Sequence, residues 1–376
     1  MSEKMKAVRK AKDEPGLVVE DIPIPEVGHH DVLIQIEAAS ICGTDVHIWK
    51  WDEWSQQRIH TPLTLGHELA GTVVAVGDLA EEIKVGDYVC AESHITCGHC
   101  FQCRTGQAHM CPRTQILGVD RDGCFAEYIS VPEKAIWKND RSKLPPEIAT
   151  LQEPFGNAVY ATLTNDLAGQ TVTVYGCGPI GLFSIGIARG SGAAAVFAVD
   201  PVDYRLDLAR QMGAAKTFCP SEGDDVVSDI LEANEGFGID VVLEMSGAAG
   251  AITNAFQTVR NGGHITLFGI PSRPVEIDVA ENMIFKNLTV FALNGRRIWD
   301  SWYQTRWLLE SGVVDLRPLI TRDMTFDQIN EAMELLANGE ACKIVVRPNG
   351  VAPEPPSKPD RTASEDANVR GAIVHP

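Results

Sequence analysis

The feature that most restricts the fold of this chain is a change of pattern near residue 169. Before it, short branched apolar runs such as VLIQI (32–36) and GTVVAV (71–76) are bounded by Gly, Asp and Pro, which predicts a β-rich unit with few long helices. After it, strands alternate with helical stretches: TVTVYG, PIGLFSIGIARG, AAVFAVD and YRLDLARQMG. DVVLE (240–244) and HITLF (264–268) continue as strands, with AITNAFQTVRNGG between them as a helix stopped at Gly262 and Gly263. That is the βαβ rhythm of a parallel sheet of at least four strands. Two further helices, SWYQTRWLLESG and FDQINEAMELLANGE, precede a last strand, KIVV (343–346), read as returning to the first unit. Beyond Arg347 the chain is Pro-rich and polar, and the composition predicts a flexible tail.

The turn Gly176-Cys177-Gly178-Pro179-Ile180-Gly181 follows a predicted strand and opens a predicted helix. In that context glycines let backbone N–H groups approach a pyrophosphate at the positive end of a helix. Asp200 ends the next predicted strand, where a carboxylate accepts from both adenosine ribose hydroxyls and repels a 2'-phosphate, so NAD is expected over NADP. The same residues also fit a plain sharp turn with a solvated Asp200. Arg205 lies beside the adenosine or caps the following helix; spacing alone does not choose.

Four cysteines, Cys97, Cys100, Cys103 and Cys111, crowd into fifteen residues. Four soft thiolates suit tetrahedral zinc with no open position, hence a structural site; a [4Fe-4S] cluster is the nearest competitor. A second, dispersed constellation is Cys42, His67, Glu68 and Glu153. A thiolate, an imidazole and carboxylates can hold zinc with one exchangeable position, as a catalytic site requires. Taken singly, Cys42 also reads as a small buried hydrophobe, His67 as a satisfied loop histidine and Glu153 as a helix-capping carboxylate.

The 51 acidic residues against 32 basic give a formal charge of −19, which disfavours nucleic acid and anionic membranes as partners. No segment approaches the ~20 apolar residues of a membrane span, and the first residues lack the apolar centre of a signal peptide, so a cytoplasmic location is expected.

With GHE at 66–68, the four-cysteine segment and the glycine turn in its second half, the chain resembles the zinc-containing medium-chain alcohol dehydrogenase superfamily. The strings ICGTDVHIWKWDEWSQ, SHITCGHCFQCRTGQAHMC, GCFAEY, EPFGNAVYATL, EMSG and FGIP are similar to its L-threonine 3-dehydrogenase family, over about residues 5 to 348. The resemblance implies an α/β architecture with a split, GroES-like β-rich catalytic domain (1–153 and 298–348), a Rossmann NAD-binding domain with a doubly wound parallel sheet (154–297) and a tail (349–376). It further implies a homotetramer, L-threonine as substrate, NAD as cofactor and two zinc ions per chain. Carried onto matching positions, Cys42, His67 and Glu68 become ligands of the catalytic zinc, the four clustered cysteines ligands of the structural zinc, and Thr44 with His47 a proton relay. The cofactor site receives Ile180, Asp200, Arg205, the Phe268-Gly269-Ile270 turn and Leu293-Asn294.

Trp49 stands where the family often has Tyr, and Glu153 where it often has Asp. A longer carboxylate at 153 reaches zinc directly in competition with Glu68, or holds a metal-bound water; Glu153 is expected as a fourth or intermittent ligand. Two rival functions share part of this pattern. One is a polyol or secondary-alcohol dehydrogenase, against which only the family strings around Trp51, Asp52, Glu53 and Trp54 argue. The other is a non-catalytic NAD-binding scaffold, against which the intact Cys42, Thr44, His47, His67 and Glu68 set argues. Arg296 and Arg297 either pair with a substrate carboxylate or are solvated.

Overall fold

A computed structural model describes residues 3–220, 225–348 and 350; the expected tail lies, apart from Gly350, outside the described residues. The second half builds a six-stranded sheet in the order Lys216–Phe218, Ala195–Val199, Thr171–Tyr175, Ile239–Glu244, Val259–Leu267, Thr289–Ala292, every neighbouring pair parallel. Numbered along the chain this is 3-2-1-4-5-6, a doubly wound sheet whose order reverses between its first and fourth strands. The helix Pro179–Gly190, apolar on every face, is buried from Gly181 to Ala188. A Cβ added at Gly186 would touch Met212 and Val314, and one at Gly190 would strike Val313, so small residues let a second layer close over the helix.

The helix predicted to end at Gly262 ends earlier, at Thr258, and Val259–Leu267 is strand. Branched Val259 is buried and pairs with Ile239, and Arg260 Nε donates to Asp240 Oδ1, so tertiary pairing pulls the segment straight.

The first half and the chain end share a seven-stranded sheet running Ile136–Lys138, Tyr88–Ala91, Glu68–Val76, Asp31–Ser40, Lys343–Arg347 and Ile320–Thr325, with Tyr128–Pro132 also on Asp31–Ser40. The antiparallel register sets Ser40 opposite Glu68 and Val345 opposite Ser40. Cys42, His67–Glu68 and Lys343 therefore emerge together at one sheet end. Two short helices, Gly43–Lys50 and Glu53–Arg58, follow Cys42 where the sequence pattern suggested none. Their starts are local: Asp45 Oδ2 accepts from Cys42 N at 2.9 Å, and Asp52 Oδ1 accepts from Ser55 N at 3.0 Å. Trp137, Trp299, Trp302 and Tyr303 pack as one aromatic cluster beside these layers.

Candidate metal and cofactor sites

The cysteine loop is closed at its base by pairing of His94–Ile95 with Gln115–Ile116, which draws its two ends together. Within it, Cys97 and Cys103 sulfurs lie 4.0 Å apart and those of Cys100 and Cys111 3.8 Å apart. Zinc–sulfur bonds of about 2.3 Å imply a tetrahedral S···S edge of about 3.8 Å, so the four thiols are spaced for one such ion. The electrostatics agree. Backbone N–H groups, first that of His99, pull the Cys97 thiol down to about 5, while lost solvation and bonding to Cys100 push Cys103 up to about 11. Thiols facing one another at this range do not all ionise without a cation between them.

At the sheet end, one ligand atom each from Cys42, His67 and Glu68 lie within 4.8 Å of one another. Glu68 Oε2 accepts from Ser40 Oγ and from buried Lys343 Nζ, which also donates to Ile41 O at 2.8 Å. Its other oxygen, Oε1, is buried without a partner, as is His67 Nδ1. Orphaned polar atoms beside a thiol are what a thiolate–imidazole–carboxylate metal set looks like before the cation is added. Burial opposes charge on His67, but Asp45 and Cys42 outweigh it and raise its pKa well above the ordinary value. Glu153 contributes to that rise as well, yet it belongs to a neighbouring group with Glu92 and His94. Its Oε1 accepts from Ser93 Oγ at 2.5 Å and pairs with Arg296 at 2.7 Å. Glu153, expected as a fourth or intermittent ligand, is thus paired with a cation of the chain itself, while its charge still acts on His67.

Thr44 Oγ1 lies 3.9 Å from Cys42 Sγ. His47, on the same helix, bonds Asp52 through Nδ1 and is well exposed. Asp52 is held below the usual carboxylate range because bonds from Ser55 and His47 outweigh its desolvation, so the imidazole keeps a charged partner at neutral pH.

The glycine turn opens at the carboxyl edge of the parallel sheet, where the strand order reverses. Gly176 has φ +93°, and a Cβ at Gly181 would lie 1.8 Å from Gly176 O, so both positions demand glycine. A Cβ at Gly178 would meet nothing within 4 Å, and Gly178 caps the helix without a side chain, leaving its N–H end open to a ligand. Asp200, buried, accepts from Cys177 N at 2.8 Å and Val202 N at 2.9 Å, fixing its carboxylate beside the turn. Arg205, in the first turn of the helix Asp203–Gln211, has Nη1 3.8 Å from Asp200 Oδ2. The same edge carries Phe268 and Gly269, whose N–H groups reach Glu244 O, exposed Ile270, and Leu293, whose N–H donates to Leu267 O; Ile180 and Asn294 border it. These elements form one crevice suited to a dinucleotide.

Sequence reasoning missed two groups here. Arg296, read as a substrate partner or a solvated loop residue, is 2% exposed and bonded to Glu92 and Glu153. Lys343, read as part of a strand, is the buried cation on Glu68. In EPFGNA, Gly156 was the available signal: a Cβ there would lie 2.9 Å from Arg296 Cδ, and Asn157 Oδ1 accepts from Arg296 at 3.3 Å.

The comparisons with known proteins fit this layout. Residues 28–141 match the alcohol dehydrogenase GroES-like domain and residues 179–311 the zinc-binding dehydrogenase domain. An L-threonine 3-dehydrogenase of Symbiobacterium thermophilum is 48% identical over 93% of this chain and 99% of its own length. A putative zinc-binding dehydrogenase of Sinorhizobium meliloti, solved with NADP, superimposes with a TM-score of 0.85 at 30% identity, covering 92% of this chain and all of the other. The 2R,3R-butanediol dehydrogenase of Bacillus subtilis gives 0.83 at 31%, with the same coverage. A split β-rich sheet with a gathered Cys42–His67–Glu68 set, a four-thiol loop and a dinucleotide crevice, together with these relatives, places the chain in the zinc-containing medium-chain alcohol dehydrogenase superfamily, with the L-threonine 3-dehydrogenases as its kin.

Proposed function

We propose that the chain oxidises the C3 hydroxyl of L-threonine to 2-amino-3-oxobutanoate with reduction of NAD to NADH. The observation that carries this reading is the meeting of Cys42, His67 and Glu68, with one Glu68 oxygen left unpartnered, in a chain 48% identical to a protein named for that activity. Cys42, His67 and Glu68 would hold the catalytic zinc and Cys97, Cys100, Cys103 and Cys111 the structural one. When bound, zinc supplies Lewis-acid polarisation of a hydroxyl and NAD supplies the hydride acceptor.

The chain's own residues do the rest. Lys343 and Ser40 fix Glu68, and Asp45 faces the imidazole of His67, whose Nδ1 is 3.8 Å from its carboxylate. Thr44, beside the Cys42 sulfur, is placed to accept the hydroxyl proton. His47, well exposed and tied through Nδ1 to Asp52, would pass that proton on to solvent. Gly178 and the following N–H groups take the pyrophosphate; Asp200, with Arg205 beside it, takes the ribose and disfavours a 2'-phosphate.

The domain division at 153/154 and 297/298 follows the same reading, as does a cytoplasmic location; among the described residues no helix is long and apolar enough to cross a membrane. A homotetramer is supported by the outer edge of Thr289–Ala292, which has no strand partner among the described residues, and by exposed Val279, Ile284 and Phe285 just before it.

Zinc-loaded protein with NAD should produce NADH absorbance with L-threonine and much less with sorbitol or butane-2,3-diol. The solved butanediol dehydrogenase neighbour makes the last substrate the specific rival, and preference for it would reassign the substrate class. No turnover with any of the three, at full zinc content, would leave a binding protein.

A further inference from the structure

Lys10 ends the strand Lys4–Lys10 and is fully buried, yet no carboxylate bonds its ammonium group among the described residues. Its Nζ donates instead to three main-chain carbonyls: Glu14 O, Gly16 O at 3.2 Å and Trp49 O at 3.4 Å. It also lies 4.9 Å from the centre of the Trp51 ring. These contacts fall on the end of the helix Gly43–Lys50 and on the loop beside it, where Gly16 N also donates to Trp49 O at 2.9 Å. The last carbonyls of a helix have no partner within it and favour a cation, and an indole face attracts one. Desolvation lowers the pKa of Lys10 to about 8 against the pull of Glu14 and Asp13, so the cation is present at pH 7.

Trp51 closes that helix with φ +57° and ψ +46°, a left-handed conformation that a bulky side chain adopts only where its surroundings hold it. The turn it makes aims Asp52. One oxygen of Asp52 starts the helix Glu53–Arg58 by accepting from Ser55 N, and the other accepts from His47 Nδ1. Through ring and carbonyl, Lys10 holds the residue whose backbone sets Asp52 against His47.

We propose that Lys10 is a positioning residue for the proton path: it locks the left-handed turn at Trp51 and so keeps the Asp52 carboxylate on His47. The inference rests on the Thr44–His47 relay proposed above, and extends it to a residue of the first strand.

The test is a double-mutant cycle in the zinc-loaded full chain at pH 7, with L-threonine and NAD. Lys10→Met, of similar length and without charge, should lower kcat about tenfold, with KM for both substrates within about twofold of the parent and zinc content unchanged. In the His47→Asn chain the same change should lower kcat less than about twofold, because the pair that Lys10 serves is already gone. Lys10→Gln, which still donates to carbonyls, should lie between the parent and Lys10→Met, and it carries the same cycle if the Met variant does not fold. A loss of kcat equal in the two backgrounds would make Lys10 a structural residue only and overturn the proposal. Unchanged turnover of folded Lys10→Met protein, or a loss confined to KM, would overturn it as well. Unchanged turnover of His47→Asn on its own, or none in the parent, would remove the relay reading and the proposal with it.

Discussion

At the residue scale the two sulfur sites differ in what surrounds them. Cys42 shares its site with an imidazole, a carboxylate and an unpartnered buried oxygen, whereas Cys100 faces three other thiols in a closed set. Cys42→Ser should lose one zinc per chain and nearly all turnover. Cys100→Ser should lose the other zinc and mainly stability, read by metal analysis beside thermal unfolding; loss of activity with fold and the first zinc intact would merge the two roles. His47 is exposed and its bonding is to Asp52, not to the metal set, so His47→Asn should lower turnover by on the order of 10² at unchanged zinc content. Unchanged turnover would remove His47 from the proton path. These residues were legible because few side chains bind zinc and their strings match a family. Arg296 was not, since a buried guanidinium and a solvated one have the same sequence signature.

At the element scale, pairing decided what propensity left open. The strand Thr171–Tyr175, which carries the glycine turn, is anchored at its start by Asp240, whose Oδ2 accepts from Thr171 N and Oγ1 at 2.8 Å each. Desolvation opposes the carboxylate, but bonds from Thr171 and Arg260 outweigh it and lower its pKa. A carboxyl group depressed in the folded state stabilises the fold above its unfolded pKa of about 3.9, and that contribution is lost as pH falls through the folded value. Asp240→Asn should therefore cost about 1–2 kcal/mol near pH 7, with the gap to the parent closing below about pH 4 in urea unfolding series. A gap of equal size at pH 3 would deny the charge its role. The parallel strands and their helices were readable from apolar runs and glycine stops. The end of Ala249–Thr258 was not, because the chain that straightens Val259 is Ile239, twenty residues away.

At the scale of the whole molecule, exposed Ile284 and Phe285 lie just before a strand whose outer edge is unpaired among the described residues. Changing both to Lys should shift the protein to a smaller species in sedimentation, while Val85→Lys, at an equally exposed site elsewhere, should not. If both behave alike, the sheet edge is not the assembly surface. The net charge of −19 adds a general repulsion between copies of the chain that any such contact would have to overcome, so association through this edge should strengthen with added salt.

The sequence by itself determined the β-rich first part, the βαβ second part, the phosphate-binding turn and the four-thiol loop, because each depends on residue types within a few positions of one another. How each of the two candidate carboxylates is paired was decided only in the tertiary structure. Glu68 and Glu153 are chemically alike, and the difference between them is that Lys343 and Arg296, each remote in the chain, arrive beside them with different free oxygens left over. Charge pairing across such distances follows from strand register and helix packing, which no local pattern encodes.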